Sequence, residues 1–230
     1  LFFPNETNRR DLEDRMRALH AELRGTYHAD GFTFNVSMSA GYVIVSSGDF
    51  RIEDMQIKAD LALFESKSRN KGGAMAFEAE MDANYLDRQK LKADVREAVE
   101  HGGLSVAYQP MFEPDGSRIE CCEALARWTH AERGPVSPIV FIPLAEEIGL
   151  VGDITRFMLR QACLDCMSWP AHISVSVNLS VLDLHNSEIV SLVADTLAET
   201  GLPPSRLHLE VTESCLMEET AKVRTILQEL

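Results

Sequence analysis

The sequence predicts an α/β protein in which an α+β part, a long helix and a series of β-then-α units follow one another. Two apolar runs flank Pro114-Asp115-Gly116-Ser117, which is typical of a β-hairpin. After this hairpin, strand-like segments alternate with helical stripes of apolar residues. Strands that are connected through a helix favour a parallel arrangement.

Helical and strand patterns alternate over the first 77 residues, which predicts part of an α+β domain. This arrangement by itself indicates no function. The predicted elements are a helix from Asn8 to about Gly25, a strand Phe32–Val45, a helix capped by Asp49 that runs toward Lys67, and a strand Ala74–Phe77.

A charged helix over residues 78–103 connects this part to the hairpin and ends at Gly102-Gly103. The hairpin strands are predicted at Leu104–Phe112 and Ile119–Trp128. In the second strand, the two-residue period places Glu123, Leu125 and Arg127 on one face. A carboxylate among aliphatic side chains needs a partner, and a Glu123–Arg127 salt bridge is the simplest explanation.

Two further β-then-α units are predicted after the hairpin. Glu146 and Glu147 are interpreted as charges on a helix face. The predicted elements are a helix Phe141–Gly149, a helix capped by Asp153, a strand His172–Ser180, a helix that begins at Ser187, and a strand Leu207–Glu213.

Composition narrows the classes of function. The net charge of -14 is spread along the chain, so binding to DNA or RNA through a basic surface is not expected, and an anionic ligand needs local cations or metal. Five cysteines, with no signal peptide and no apolar run of membrane-spanning length, favour a reduced, cytoplasmic compartment. Cys163 and Cys166 form a CxxC inside a predicted helix without a second pair, which argues against zinc. Both ends of the chain are expected to be cut from a longer protein.

Several motifs occur in one order along the second half of the chain. They are YQP at 108–110, EALARW at 123–128, GPVSPIVFIPLAEEIGL at 134–150, VNLS at 177–180 and LEVTES at 209–214. In order and spacing they resemble the EAL domain of cyclic di-GMP phosphodiesterases. The resemblance implies the first half of a (β/α)8 barrel over residues 104–230, with one antiparallel strand.

This resemblance assigns roles to particular residues. Glu123, Asn178 and Glu210, each late in a predicted strand, match metal ligands, and the oxygen donors suit two Mg²⁺ or Mn²⁺ ions. Glu213 matches a residue that supports catalysis. Substrate contacts are implied for Gln109, Leu125 and Arg127. The reaction implied is hydrolysis of cyclic di-GMP to linear pGpG, and the alternatives are a non-catalytic cyclic di-GMP receptor or a signalling interaction module.

The first half of the chain resembles a second family. SMSAGYV at 37–43 and ADLALFESKSRNKG at 59–72 are similar to the C-terminal part of a GGDEF diguanylate cyclase domain. The resemblance implies that Lys67 and Lys71 contact a nucleotide such as GTP, whereas a solvated helix end is the alternative. The signature loop of that family is not in the chain, so no cyclase activity is expected. The two resemblances together imply a protein with both domains. For such a protein we expect a helix that links residues 1–77 to residues 104–230, and a homodimer of the full-length chain.

Overall fold

The computed structural model describes residues 9–45, 51–69, 72–211 and 221–230. The chain divides into two compact units, with the boundary between Gln89 and Lys90. Among the described residues, no helix has the length and apolar character needed to cross a membrane. The elements are α1 (Arg9–Leu23), β1 (Gly25–Ala29), β2 (Phe32–Val36), β3 (Ala40–Tyr42), α2 (Ile52–Arg69), β4 (Ala74–Ala76), α3 (Glu80–Glu100), β5 (Leu104–Phe112), β6 (Ile119–His130), β7 (Gly134–Val136), α4 (Pro138–Glu147), α5 (Val151–Met167), β8 (Ser174–Leu179), α6 (Val181–Leu184), α7 (Glu188–Thr200), a 3₁₀ turn (Pro204–Arg206), β9 (Leu207–Val211) and α8 (Ala221–Glu229).

The first unit contains two small sheets and not the single strand predicted over Phe32–Val45. β2 pairs antiparallel with β1, and Asp30 and Gly31, with φ of 50° and 80°, make the two-residue turn between them. The next strand, β3, pairs parallel with β4. The chain leaves strand pairing between β2 and β3, where the Met38 carbonyl lies 2.6 Å from His20 Nε2 of α1. The predicted cap, Asp49, lies outside the described residues.

Helix α2 packs directly against β3 at Gly41. A Cβ atom on this glycine would lie 2.1 Å from the Leu63 amide nitrogen and 2.2 Å from the Ala59 carbonyl oxygen. No side chain fits there, so the missing side chain of Gly41 permits the contact. Ser66, also on α2, is fully buried and donates a hydrogen bond of 2.7 Å to the Gly73 carbonyl ahead of β4.

The second unit is built on a mixed sheet in the order β5-β6-β8-β9, with β7 paired to β6. β5 and β6 form the predicted hairpin, whereas β6, β8 and β9 run parallel to one another. The described residues therefore form a mixed α/β fold, as the sequence predicts.

The core of this unit lies between the sheet and helices α4, α5 and α7. Val175 and Val177 of β8 are 0% and 1% exposed, and Trp128 of β6 packs edge-on against Phe141 of α4 at 5.8 Å between ring centres. Asp153 is not the cap of α5: Leu150 occupies that position, and Asp153 lies in the first turn, where its charge favours the positive end of the helix dipole.

Candidate active site

One face of the sheet collects the polar side chains that the sequence singles out. Residues directly opposite each other in a ladder share a face. Gln109 of β5 lies opposite Glu123 of β6, Glu123 lies beside Ser176 of β8, and Asn178 of β8 lies beside Glu210 of β9. Because Ser176 and Asn178 are two residues apart, all five side chains project from the same side.

The three predicted metal ligands are neighbours on this face. Asn178 donates from Nδ2 to Glu123 Oε1 at 2.7 Å, and the register places Glu210 next to Asn178. Glu210 and Asn178 lie at the carboxyl ends of their strands, as predicted. Glu123 does not, because β6 continues to His130 by pairing with β5 and β7 after its last pair with β8, Ala124–Val177.

The simplest sequence explanation for Glu123, a salt bridge to Arg127, is not what the structure contains. Arg127 Nη1 donates to the Ala126 carbonyl at 3.0 Å, and Glu123 accepts from Asn178 instead. The two side chains are four residues apart on one strand face. Arg127 is half-buried and leaves guanidinium donors for another acceptor on this face.

The predicted substrate contacts lie around Glu123. Gln109 is exposed and lies directly opposite Glu123. Leu125 lies two residues after Glu123 on β6, opposite Ala107. Lys67 is exposed near the end of α2 in the first unit. Glu213 and Lys71 lie outside the described residues.

Two residues on this face were missed by sequence reasoning. Ser176 is 1% exposed, and among the described residues no hydrogen-bond partner is found for its Oγ. His208 of β9 is exposed beside it. Their position two residues before Asn178 and Glu210 was the available signal, since the strand period puts them on the same face.

Glu146 and Glu147 lie on helix α4, and each contacts a different neighbouring element. Ser180 donates from Oγ to Glu146 Oε1 at 2.5 Å, and Glu147 forms an ion pair of 2.9 Å with Lys92, whose side chain is 18% exposed. The two adjacent glutamates of α4 therefore hold two different elements, the segment after β8 and helix α3.

The donor set on the sheet face fits a hard divalent cation. Two carboxylates and an amide oxygen are ligands that Mg²⁺ and Mn²⁺ accept, and the buried, unpartnered Ser176 hydroxyl beside Glu123 adds a polar group that a bound water could satisfy. Within the described residues, no group of three or more His, Cys, Asp or Glu side chains is placed so that it could hold a metal ion. Cys163 and Cys166 are buried thiols, and burial raises the pKa of Cys163 to about 11, which disfavours the thiolate that zinc needs.

The fold and the polar face of the sheet define a class of protein. It is a mixed α/β protein with acidic side chains toward the carboxyl ends of parallel strands. The family model of the EAL domain matches residues 92–230, and the chain belongs to the EAL domain family.

Relatives extend the similarity beyond that domain. The chain is 41% identical over 197 residues to an uncharacterised protein, y4lL, of Sinorhizobium fredii, covering 86% of this chain and 24% of the relative. It is 34% identical over 209 residues to the bifunctional diguanylate cyclase/cyclic di-GMP phosphodiesterase MucR of Pseudomonas aeruginosa, covering 89% of this chain and 30% of MucR. The chain thus spans between about a quarter and a third of the length of these relatives.

A solved structure has a similar fold. The PaMucR phosphodiesterase in complex with c-di-GMP superimposes with a TM-score of 0.57 at 36% sequence identity, covering 61% of this chain and 58% of that chain.

Proposed function

We propose that the protein is a divalent-metal-dependent phosphodiesterase that hydrolyses cyclic di-GMP to linear pGpG. The observation that carries this proposal is the contact of Asn178 with Glu123 at 2.7 Å, with Glu210 next to Asn178 on the same sheet face. Membership of the EAL family and similarity to MucR, which is named a cyclic di-GMP phosphodiesterase, support it.

Each side chain on the face has a role in this proposal. Glu123, Asn178 and Glu210 hold Mg²⁺ or Mn²⁺, two ions in the complete site, and Glu213 supports them. When bound, the metal supplies Lewis-acid polarisation of the phosphodiester and lowers the pKa of a water. Arg127 donates charge-assisted hydrogen bonds to a phosphate oxygen.

The remaining contacts orient the substrate. Gln109, opposite Glu123, offers an amide to the dinucleotide, and Leu125 provides an apolar contact between Glu123 and Arg127. Gln109 lies across from Glu123 and Leu125 follows it on the same strand face, so that the scissile phosphate is held beside Glu123.

The test is hydrolysis of cyclic di-GMP by the full-length gene product with Mg²⁺, with Mn²⁺ and after chelation. We expect pGpG with either ion and none after chelation. Binding of cyclic di-GMP without turnover in both ions would favour the receptor alternative and contradict the proposal.

We also propose three parts for this chain: residues 1–77 from a GGDEF domain, a linking helix over 78–103, and 104–230 from the EAL domain. The similarity to MucR, a protein named a diguanylate cyclase as well, covers 89% of the chain and so includes residues before 92. In this proposal Lys67 and Lys71 contact GTP, the full-length protein is a homodimer, and it acts in the cytoplasm.

A GTP titration of the full-length protein tests the role of the first part. If GTP regulates the phosphodiesterase, its rate changes with GTP concentration and Lys67→Ala weakens that response. An unchanged rate at saturating GTP contradicts the regulatory role without affecting the proposal for the EAL domain.

A further inference from the structure

The segment that follows β8 is held by side chains from other helices. Ser180 comes two residues after Asn178 and is the N-cap of α6, with φ −76° and ψ 156°. Its hydroxyl donates to Glu146 Oε1 of α4 at 2.5 Å and accepts from the Leu182 amide at 3.3 Å. The hydroxyl therefore ties the end of β8 to α4.

Asp183 holds the backbone of the same residue. Its Oδ2 accepts from the Ser180 amide at 2.9 Å and from Thr155 Oγ1 of α5 at 2.8 Å. Asp183 and Thr155 are 6% and 4% exposed. A buried carboxylate that loses a donor is left unsatisfied, so these bonds resist rearrangement. We refer to Glu146, Thr155, Ser180 and Asp183 as the Ser180 network.

Helix capping explains only half of these bonds. Ser180 and Asp183 form a capping box at the start of α6. Glu146 and Thr155 belong to α4 and α5 and are not part of that box. α6 has only four residues and gains little from additional capping. The bonds from α4 and α5 are therefore not explained by the stability of α6. What all four side chains determine is the position of the chain directly after Asn178.

We propose that the Ser180 network positions Asn178 in the metal site, an inference that rests on the proposed function. Val177 and Leu179, on either side of Asn178, are 1% and 4% exposed, so packing fixes the strand and the network fixes its end. Asn178 itself is exposed and must keep its amide beside Glu123. A ligand held within about 0.5 Å of its productive geometry needs such support.

Paired substitutions test the network. Ser180→Ala and Glu146→Ala remove the bond between the end of β8 and α4, whereas Ser180→Thr and Glu146→Gln retain a donor and an acceptor for it. Partners that orient a metal ligand typically change metal affinity by roughly tenfold to a hundredfold. In the full-length protein, we expect the alanine variants to weaken Mn²⁺ binding by that factor and to lower kcat with little change in KM. The conservative variants should stay close to wild type.

Glu147→Ala is the matched control, because it removes the neighbouring carboxylate of the same helix, which pairs with Lys92. It should leave Mn²⁺ affinity unchanged. Hydrogen exchange over residues 176–180 gives a readout without turnover: the alanine variants should exchange faster there than Glu147→Ala.

The outcomes separate this inference from the proposed function. Folded Ser180→Ala and Glu146→Ala proteins with wild-type Mn²⁺ affinity and wild-type exchange over 176–180 would overturn the network. Wild-type protein that binds Mn²⁺ but leaves cyclic di-GMP intact would instead overturn the phosphodiesterase proposal, because the affinity and exchange differences are read independently of hydrolysis.

Discussion

Glu123 is the residue on which most of the proposed chemistry depends. It lies opposite Gln109, accepts from Asn178 and shares its face with Arg127. If Glu123 and Glu210 bind the metal directly, Glu123→Gln and Glu210→Gln remove stabilisation of several kcal/mol from the transition state, a loss of roughly a thousandfold or more in turnover.

Steady-state hydrolysis with circular dichroism measures this loss in folded protein. Glu199→Gln is a control on the surface, where Glu199 pairs with Arg160 at 2.7 Å. Near wild-type turnover in either site variant would show that the metal assignment is wrong.

Tyr108, next to Gln109, anchors β5 from the opposite side of the sheet. Its hydroxyl donates to Asp165 Oδ2 of α5 at 2.5 Å, and its ring packs edge-on against Trp169 at 4.8 Å between centres. Gln161 donates to the other oxygen of Asp165. Tyr108→Phe removes a hydrogen bond to a carboxylate, so we expect the free energy of unfolding to fall by about 1.5–3 kcal/mol, measured by urea titration with tryptophan fluorescence.

The same residue predicts a pH dependence. Burial, followed by the bond to Asp165, raises the pKa of Tyr108 well above its ordinary value. The folded state therefore keeps the phenol protonated where the unfolded chain begins to lose its proton, near pH 10. Stability from this group is complete below pH 10 and falls as pH rises above it. Tyr108→Phe should show a smaller decrease in stability between pH 8 and pH 10.5, and an identical decrease would contradict this account.

Among individual residues, the sequence predicts which side chains share a strand face but not which of them are in contact. Strand parity placed Glu123 and Arg127 on one face, yet it could not show that Glu123 contacts Asn178 across 55 positions of sequence. That pairing depends on the register between β6 and β8, which distant residues fix. The strand period places Ser176 on the same face as Asn178, but only the register between β6 and β8 puts it beside Glu123.

Among the elements, β3 approaches α2 so closely that no side chain fits at Gly41. Gly41→Ala would place a Cβ atom within 2.2 Å of backbone atoms of Ala59 and Leu63, so the helix must move. We expect a loss of about 1–3 kcal/mol in the stability of the first unit, since overpacking of this kind strains the backbone.

Hydrogen exchange measures the stability of the two units separately, so it can show a loss that is confined to the first unit. The matched control is Gly152→Ala in α5, where the nearest atom to a Cβ is Asp183 Oδ1 at 4.0 Å. Alanine there should be neutral or stabilising. Equal protection of α2 and β3 in Gly41→Ala and wild type would contradict the packing argument.

The apolar periodicity of the sequence predicts whether a segment is a helix or a strand. Where a strand begins and ends depends on the strands with which it pairs. α3 and the β5–β6 hairpin match the predicted segments within a few residues. The predicted strand Phe32–Val45 is wrong because the chain leaves strand pairing between Val36 and Ala40, so that β2 pairs with β1 and β3 pairs with β4. β6 extends past Trp128 because β7 pairs with it. Partners that are distant in sequence override local patterns in both cases.

At the scale of the whole molecule, the described sheet of the second unit ends at β9. Within the described ranges, β9 pairs with β8 on one side. A cleft of about 340 Å³ beside it is lined by His208 and otherwise by apolar side chains, including Leu207, Leu209, Val193 and Leu227. An edge that is unpaired among the described residues and lies next to this cleft favours association with another chain.

We therefore predict that the 230-residue polypeptide by itself self-associates at micromolar concentration. Its net charge of -14 opposes this association, so added salt should strengthen it by screening the repulsion between chains. Sedimentation velocity across a salt series measures the effect, and Leu209→Lys, which puts a charge on the edge strand, should shift the population toward monomer. A monomer at every salt concentration, with slow hydrogen exchange across Leu207–Val211, would show that the edge is protected without a partner.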